Sequence, residues 1–163
     1  MNPSPCRISA DSAPEPRKTP VIPAVVAVCV SERKGERKTP VEEVALRKDH
    51  GIEGDAHAGP WHRQVSLLAR ESIVKMQALG LDVDAGDFAE NLTTEGICLV
   101  SLPIGTRLVI GRALVEVTQI GKECHNRCAI YHQAGDCVMP KEGIFVKVLR
   151  DGLVRAGDPI HFI

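Results

Sequence analysis

Charge of one sign is missing from this sequence. Its 20 lysines and arginines stand against 21 aspartates and glutamates, a net charge of −1, which supplies no wholesale attraction to nucleic acid or anionic lipid. Neither is expected as a partner. Also missing is any apolar run near the roughly 18 residues that a bilayer-spanning helix needs, so no membrane is expected either. The first 22 residues are rich in proline, serine and charge and contain no apolar h-region of a secretory signal. No internal repeat is visible. These absences lead to the expectation of a soluble, cytoplasmic protein. In that compartment cysteines stay reduced, so the six present read as ligands, nucleophiles or small apolar residues rather than crosslinks.

At 163 residues the chain is long enough for one domain with its own core. Residues 1–22 read as a flexible tail and 23–163 as the folded domain. AVVAVCV (24–30), rich in β-branched residues, predicts a buried strand. SERKGERKTP (31–40) predicts a charged loop whose four basic residues are solvated rather than anion-holding. In LLARESIVKMQALG (67–80), Ala69, Ile73, Met76 and Leu79 or Gly80 share one face at helical spacing, with Gly80 suited to end the helix. Beyond residue 85 short apolar segments alternate with turns: GICLVSLPIG, TRLVIG, ALVEVTQIG, GIFVKVL and PIHFI. RLVI and ALVEVTQI, separated by Gly111-Arg112, predict a tight hairpin. Many short strands with one helix predict a mainly β fold, a closed barrel.

Three segments carry groups capable of chemistry. GIEGDAHAGPWHRQVSLL places Asp55, His57, His62 and Arg63 within nine positions among three glycines. Such glycines allow sharp turns and close backbone approach to a ligand. The histidines have the donor chemistry of metal ligands, but spacing alone favours a plainer loop in which Asp55 caps a turn and His57 is hydrogen-bonded. Arg63 precedes an apolar strand, where its planar guanidinium can offer paired donors to a phosphate. In GDFAENLTTEGI, Glu90, Asn91, Thr93 and Thr94 lie between turn glycines. The Asn amide suits a heterocycle edge, and a turn stabilised by its own side chains explains the same composition.

The third segment is ECHNRCAIYHQAGDC (123–137). Cys124, Cys128 and Cys137 with His125 and His132 supply enough ligands for zinc, although the spacing is irregular and only half of a two-part knuckle is present. The other reading is a reactive thiolate, since Lys122, Arg127 and His125 place positive charge beside the cysteines and lower a thiol pKa. Cys29 and Cys98, inside apolar runs, read as core residues.

Taken together and in this order, GIEGDAHAG-x-WHRQVSLL, GDFAENLTTEGI and LPIGTRLVIG-x-ALVEVTQIG-x₂-C resemble the MOSC domain, the family named after the C-terminal domain of molybdenum cofactor sulfurase. The resemblance spans about residues 24–160. It implies a barrel related to that of pyruvate kinase and a role around the molybdenum cofactor, in which a cysteine ligates molybdenum or carries activated sulfur. Gln119 to Cys124 resembles the Q-P-R-x-P-C run of small standalone members. Arg127 to Ile130 resembles the R-C-[IV]-L run of the amidoxime-reducing branch, which favours Cys128. Phe88 and Asn91 match that branch's F-R-P-N segment, and Ala89 and Glu90 stand where it has Arg and Pro, so the resemblance does not extend to that Arg's contact.

The resemblance thus implies Cys128, Cys124 and His125 as catalytic residues, with Cys128 or Cys124 on molybdenum. It implies Arg63, His57, Asp55, Glu90, Asn91 and Thr93 as the cofactor-binding set, with the phosphate at Arg63 and the pterin edge at Asn91 and Thr93. The expected chemistry is reduction of small nitrogen- or oxygen-containing substrates, served by an electron-donor protein. Two alternatives accompany it: a persulfide carrier loaded by a separate cysteine desulfurase, since the tail has no room for one, and a non-enzymatic zinc module built on Cys124, Cys128, Cys137 and His132. Cofactor-biosynthetic proteins are the partners of the first two.

Overall fold

The computed structural model describes residues 21–122 and 137–163. The expectations for Cys124, His125, Cys128 and His132 lie outside the described residues, as does nearly all of the tail. The described chain runs β1 (Ala24–Val30), β2 (Thr39–Val41), β3 (Glu43–Arg47), β4 (Gly51–Ile52), β5 (Val65–Ala69), α1 (Arg70–Ala78) and β6 (Leu92–Glu95). It continues through a 3₁₀ turn (Leu99–Ser101), β7 (Arg107–Ile110), β8 (Ala113–Ile120), α2 (Met139–Glu142), β9 (Ile144–Arg150), β10 (Gly152–Arg155) and β11 (Ile160–Phe162). The fold is mainly β with two helices.

Among the described residues neither sheet closes into the barrel that the sequence predicts. An eight-stranded sheet runs β11-β7-β8-β9-β5-β6-β1-β2, and a separate three-stranded sheet runs β10-β3-β4. The seam between β1 and β11 carries one isolated bridge, Ala24 to Pro159. Hydrogen bonds from Val25 N to Asp158 O and from Ile160 N to Pro23 O reinforce it without a ladder. Pro23 and Pro159 flank the seam, and proline has no N–H with which to extend a ladder.

Two apolar clusters lie on opposite faces of the large sheet. The inner one joins both sheets through residues such as Val28, Leu46, Leu67, Leu92, Val115 and Val146. The outer one gathers Leu68, Ile73, Met76, Phe88, Val138, Met139 and Phe145 beneath the helices. Strand β5 lies between them, and all five of its residues are buried, which is why VSLLA reads as a continuous run rather than an alternation. β5 pairs in parallel with β6, and α1 lies within the crossover such pairing requires.

The local signals explain most elements. α1 buries Ile73 and Met76, the face its spacing predicts, while Leu79 stays exposed. The helix ends as a Schellman motif: Gly80, at φ +89°, donates to Gln77 O and Leu81 donates to Met76 O. β7 and β8 form the predicted hairpin, with Ile110 opposite Ala113. β8 buries Ala113, Val115 and Val117 and turns Leu114, Glu116 and Thr118 partly outward. GICLVSLPIG is not a strand. Its middle is the 3₁₀ turn, and Leu99 and Leu102 fold into the inner cluster, so the run covers apolar surface without pairing. No helix among the described residues is long and apolar enough to cross a membrane.

Candidate functional site

Lys38, in the loop before β2, is not solvated as its surroundings predict. Its ammonium is fully buried against the fully buried Asp55 carboxylate, 2.7 Å away. The same Nζ reaches Ser31 Oγ at 3.0 Å and His57 Nδ1 at 3.1 Å. Asp55 also accepts the N–H groups of Ser31 and His57, the second being the local turn that the sequence suggests. Burial alone raises the Asp55 pKa, but the Lys38 ammonium and these two N–H groups outweigh it and hold the carboxyl below its ordinary range. His57 is pushed down to about 4, first by burial and then by Lys38, so its ring is neutral at neutral pH.

A cavity of about 70 Å³ opens beside this cluster, lined by His57, Arg63, Ser66, Asn91, Lys122 and Phe145 among others. The Arg63 guanidinium is stacked 4.6 Å from the centre of the Trp61 ring and 5.6 Å from that of Phe145. Trp61 is held by its Nε1–H, which donates to His57 O, and Lys34 lies over its ring. Arg63 Nε is buried without a hydrogen-bond partner. A buried cationic donor left unpaired costs more than a neutral one, and no described residue offers this one an acceptor. Arg63 and Lys122 bring two cations to this small recess, beside the neutral ring of His57.

Of the six residues expected at a cofactor, the fold brings Arg63, His57 and Asn91 to this cavity and leaves Asp55, Glu90 and Thr93 outside its lining. Asn91 is almost fully spent inside the protein. Its Oδ1 accepts both the N–H and the hydroxyl of Ser66, and its Nδ2 donates to Cys29 O, leaving one N–H. It therefore cannot offer a donor and an acceptor together to a heterocycle edge. Glu90 is fully buried and gathers its own loop, accepting from Gly86 N, Phe88 N and Thr93 Oγ1. Burial raises its pKa despite those donors. Thr93 and Thr94 lie on β6 rather than in a turn.

Gly86 ties this loop to the Lys38 loop. At φ +88° its N–H donates to Glu90 and its carbonyl accepts Lys38 N–H. A β-carbon there would stand 2.1 Å from Lys38 O. Ala89, in the cavity lining, is one of two non-glycine residues at positive φ among the described residues, at +61°. Lys38 and Ser66 carry no local sequence signal for the site, because each acts on partners from a distant segment.

No group of three or more metal-ligating side chains forms among the described residues. His62 meets Gln119 Oε1 at 2.9 Å. Cys137 is buried in the outer apolar cluster. Cys29 is fully buried as a core residue, its thiol pushed up to about 12 by burial and then by Glu90. Cys98, expected in the core, is half-buried at the start of the 3₁₀ turn.

The sequence profile of the MOSC domain matches residues 53–161. Among solved structures, YuaD of Bacillus subtilis superposes with a TM-score of 0.70 at 18% identity, over 85% of this chain and 94% of its own. YiiM of Geobacillus stearothermophilus gives 0.66 at 25% identity, over 86% and 75%. YiiM of Escherichia coli gives 0.64 at 22%, over 88% and 70%. No curated protein matches the chain significantly.

Proposed function

The chain belongs to the MOSC domain family, and from that premise we propose that it binds the molybdenum cofactor for reduction of small nitrogen- or oxygen-containing substrates. The observation that carries the reading is the buried, unpartnered Nε of Arg63 in a recess shared with His57 and Lys122. At about 70 Å³ the recess is far below the roughly 300–1,000 Å³ of sites that enclose a whole ligand. It suits one anionic group, and the cofactor's phosphate is that group. Arg63 would hold it with charge-assisted hydrogen bonds, Lys122 would add charge, and the remaining Asn91 N–H would add a neutral donor. Asp55, Glu90 and Thr93 serve this reading by fixing the loops that carry His57 and Asn91.

A cysteine of the 123–137 segment, Cys128 or else Cys124, would ligate molybdenum, a soft thiolate suiting that metal. When bound, the cofactor supplies the redox chemistry, and the protein supplies binding, orientation and electrostatics.

An anaerobic preparation of the full chain tests this. Molybdenum together with a pterin that fluoresces after oxidation, both reduced at least about tenfold in Arg63→Ala, is the expected result. Cyanide-labile sulfur without molybdenum would instead identify a persulfide carrier. Stoichiometric zinc that survives Arg63→Ala and is lost in Cys137→Ser would identify a zinc module, and either outcome overturns the proposal.

A further inference from the structure

Lys38 has three protons to donate and no lone pair. All three have acceptors within hydrogen-bond reach: Asp55 Oδ1 at 2.7 Å, Ser31 Oγ at 3.0 Å and His57 Nδ1 at 3.1 Å. The last contact decides the state of the imidazole. Opposite an ammonium, Nδ1 must present its lone pair, so the single proton of the neutral ring sits on Nε2. Protonating Nδ1 would set an N–H against Lys38 Nζ.

His57 is held by its backbone: its amide N–H donates to Asp55 Oδ2 at 3.0 Å and its carbonyl accepts Trp61 Nε1–H at 2.8 Å. The charged groups that face it are Lys38, Asp55, Lys34 and Lys122, and Asp55, with its nearer oxygen 3.8 Å from Nδ1, is the one anion among them. With Nδ1 turned to Lys38, the Nε2 edge is what His57 brings to the cavity that it lines with Arg63 and Lys122.

We propose that Lys38 is a positioning residue that locks His57 as a neutral Nε2–H donor to the anionic oxygen held in the Arg63 recess. This rests on reading that recess as an oxyanion site. A neutral donor fixes an anionic oxygen without a proton to surrender, so His57 binds and orients while taking no part in acid–base steps. Arg63 and Lys122 carry the positive charge, and the imidazole adds direction. A hydrogen bond to a charged group contributes about 1.5–3 kcal/mol, which corresponds to roughly a ten- to hundredfold change in affinity.

Long-range ¹H–¹⁵N spectra of the labelled full chain show which ring nitrogen carries the proton. We expect a protonated Nε2 and a bare Nδ1 in His57, unchanged between about pH 8 and 5. In Lys38→Met the ring should populate both tautomers and titrate higher than in the wild type, with the contribution of burial remaining. The charge-balanced pair Lys38→Met with Asp55→Asn gives the same reading should the single variant fail to fold. Inorganic phosphate, followed at the Arg63 Nε–H resonance, should bind at least about tenfold more weakly to His57→Leu. It should bind within a factor of about three to His57→Gln, whose amide N–H stands in for Nε2–H. A wild-type proton on Nδ1, ordinary titration with Lys38 in place, or equal phosphate binding by His57→Leu overturns the proposal. Phosphate that leaves the Arg63 resonance unmoved beside an intact Nε2–H tautomer overturns the oxyanion reading, and the donor role with it, while the lock by Lys38 stands.

Discussion

Lys38 Nζ donates to Asp55 Oδ1 across 2.7 Å, and neither side chain retains any exposure to water. Removing one member of such a pair leaves the other charge buried and uncompensated. Lys38→Met is therefore expected to cost about 3–5 kcal/mol. Adding Asp55→Asn should recover more than half of that loss, because the double variant has no charge left to bury. Urea denaturation of both variants at neutral pH checks this. A single-variant cost under about 1 kcal/mol, the range of exposed pairs, would show that the pair is solvated.

Acid should weaken the fold in two adjoining steps. The unfolded chain takes up a proton on His57 near the ordinary value of about 6.5, whereas the folded chain refuses it until about 4. The unfolded state binds more protons in that window, so stability falls as the pH drops through it, by on the order of 3 kcal/mol, and levels off below. Asp55 acts in the same direction at lower pH: its depressed folded pKa gives stability above the unfolded value that is lost as pH falls through the folded one. Urea midpoints measured from pH 7.5 down to 4 should decline in the wild type and flatten in His57→Gln. An equal slope in both would contradict the burial of a neutral imidazole.

Asn91 and Ser66 join β6 to β5 through side chains as well as backbone. Asn91→Ala removes the acceptor of the Ser66 N–H and hydroxyl and the donor to Cys29 O at once. Each buried group left unpaired costs about 1–3 kcal/mol, so a loss of about 3 kcal/mol or more in urea denaturation is expected. A loss confined to cofactor or phosphate binding, with stability unchanged, would mean that the amide serves the ligand instead.

Cys29 should resist iodoacetamide at pH 8 in the native protein, because its thiol is buried and its pKa is raised to about 12, leaving almost no thiolate. Gly86→Ala should open it. The new β-carbon would lie 2.1 Å from Lys38 O and 3.2 Å from Cys29 Sγ, and positive φ adds backbone strain. Mass spectrometry of the labelled peptide tells the cases apart, and wild-type Cys29 reacting at the rate of an exposed thiol would refute the burial argument.

Local features were legible from the residues. Gly111-Arg112 between two alternating segments specified the β7–β8 hairpin, since a two-residue turn leaves one register. Gly80 ended α1 where its φ must be positive. GICLVSLPIG misled because an apolar run reports burial and not pairing; its leucines enter the inner cluster from a turn. Barrel closure was beyond reach for a similar reason: whether β1 and β11 complete a ladder depends on how Pro23 and Pro159 meet across the seam. At the site, the glycine-rich segment announced a close approach of backbone, and Arg63 stood out before its strand. Lys38 did not, because a lysine in SERKGERKTP has the composition of a solvated loop tip, and its partner Asp55 is 17 residues away.

What the sequence determined alone is the set of features governed by neighbours along the chain: the strand and helix periods, the turns and the order of motifs that marks the family. The tertiary structure decided which charges are buried. The free energy of a charge depends on the three-dimensional arrangement of water, donors and counter-charge around it, and none of these is written in sequence spacing. Lys38 became a buried donor, His57 a neutral one and Asn91 an internal strut. Arg63, whose place before its strand suggested a phosphate contact, has its Nε buried without a partner among the described residues.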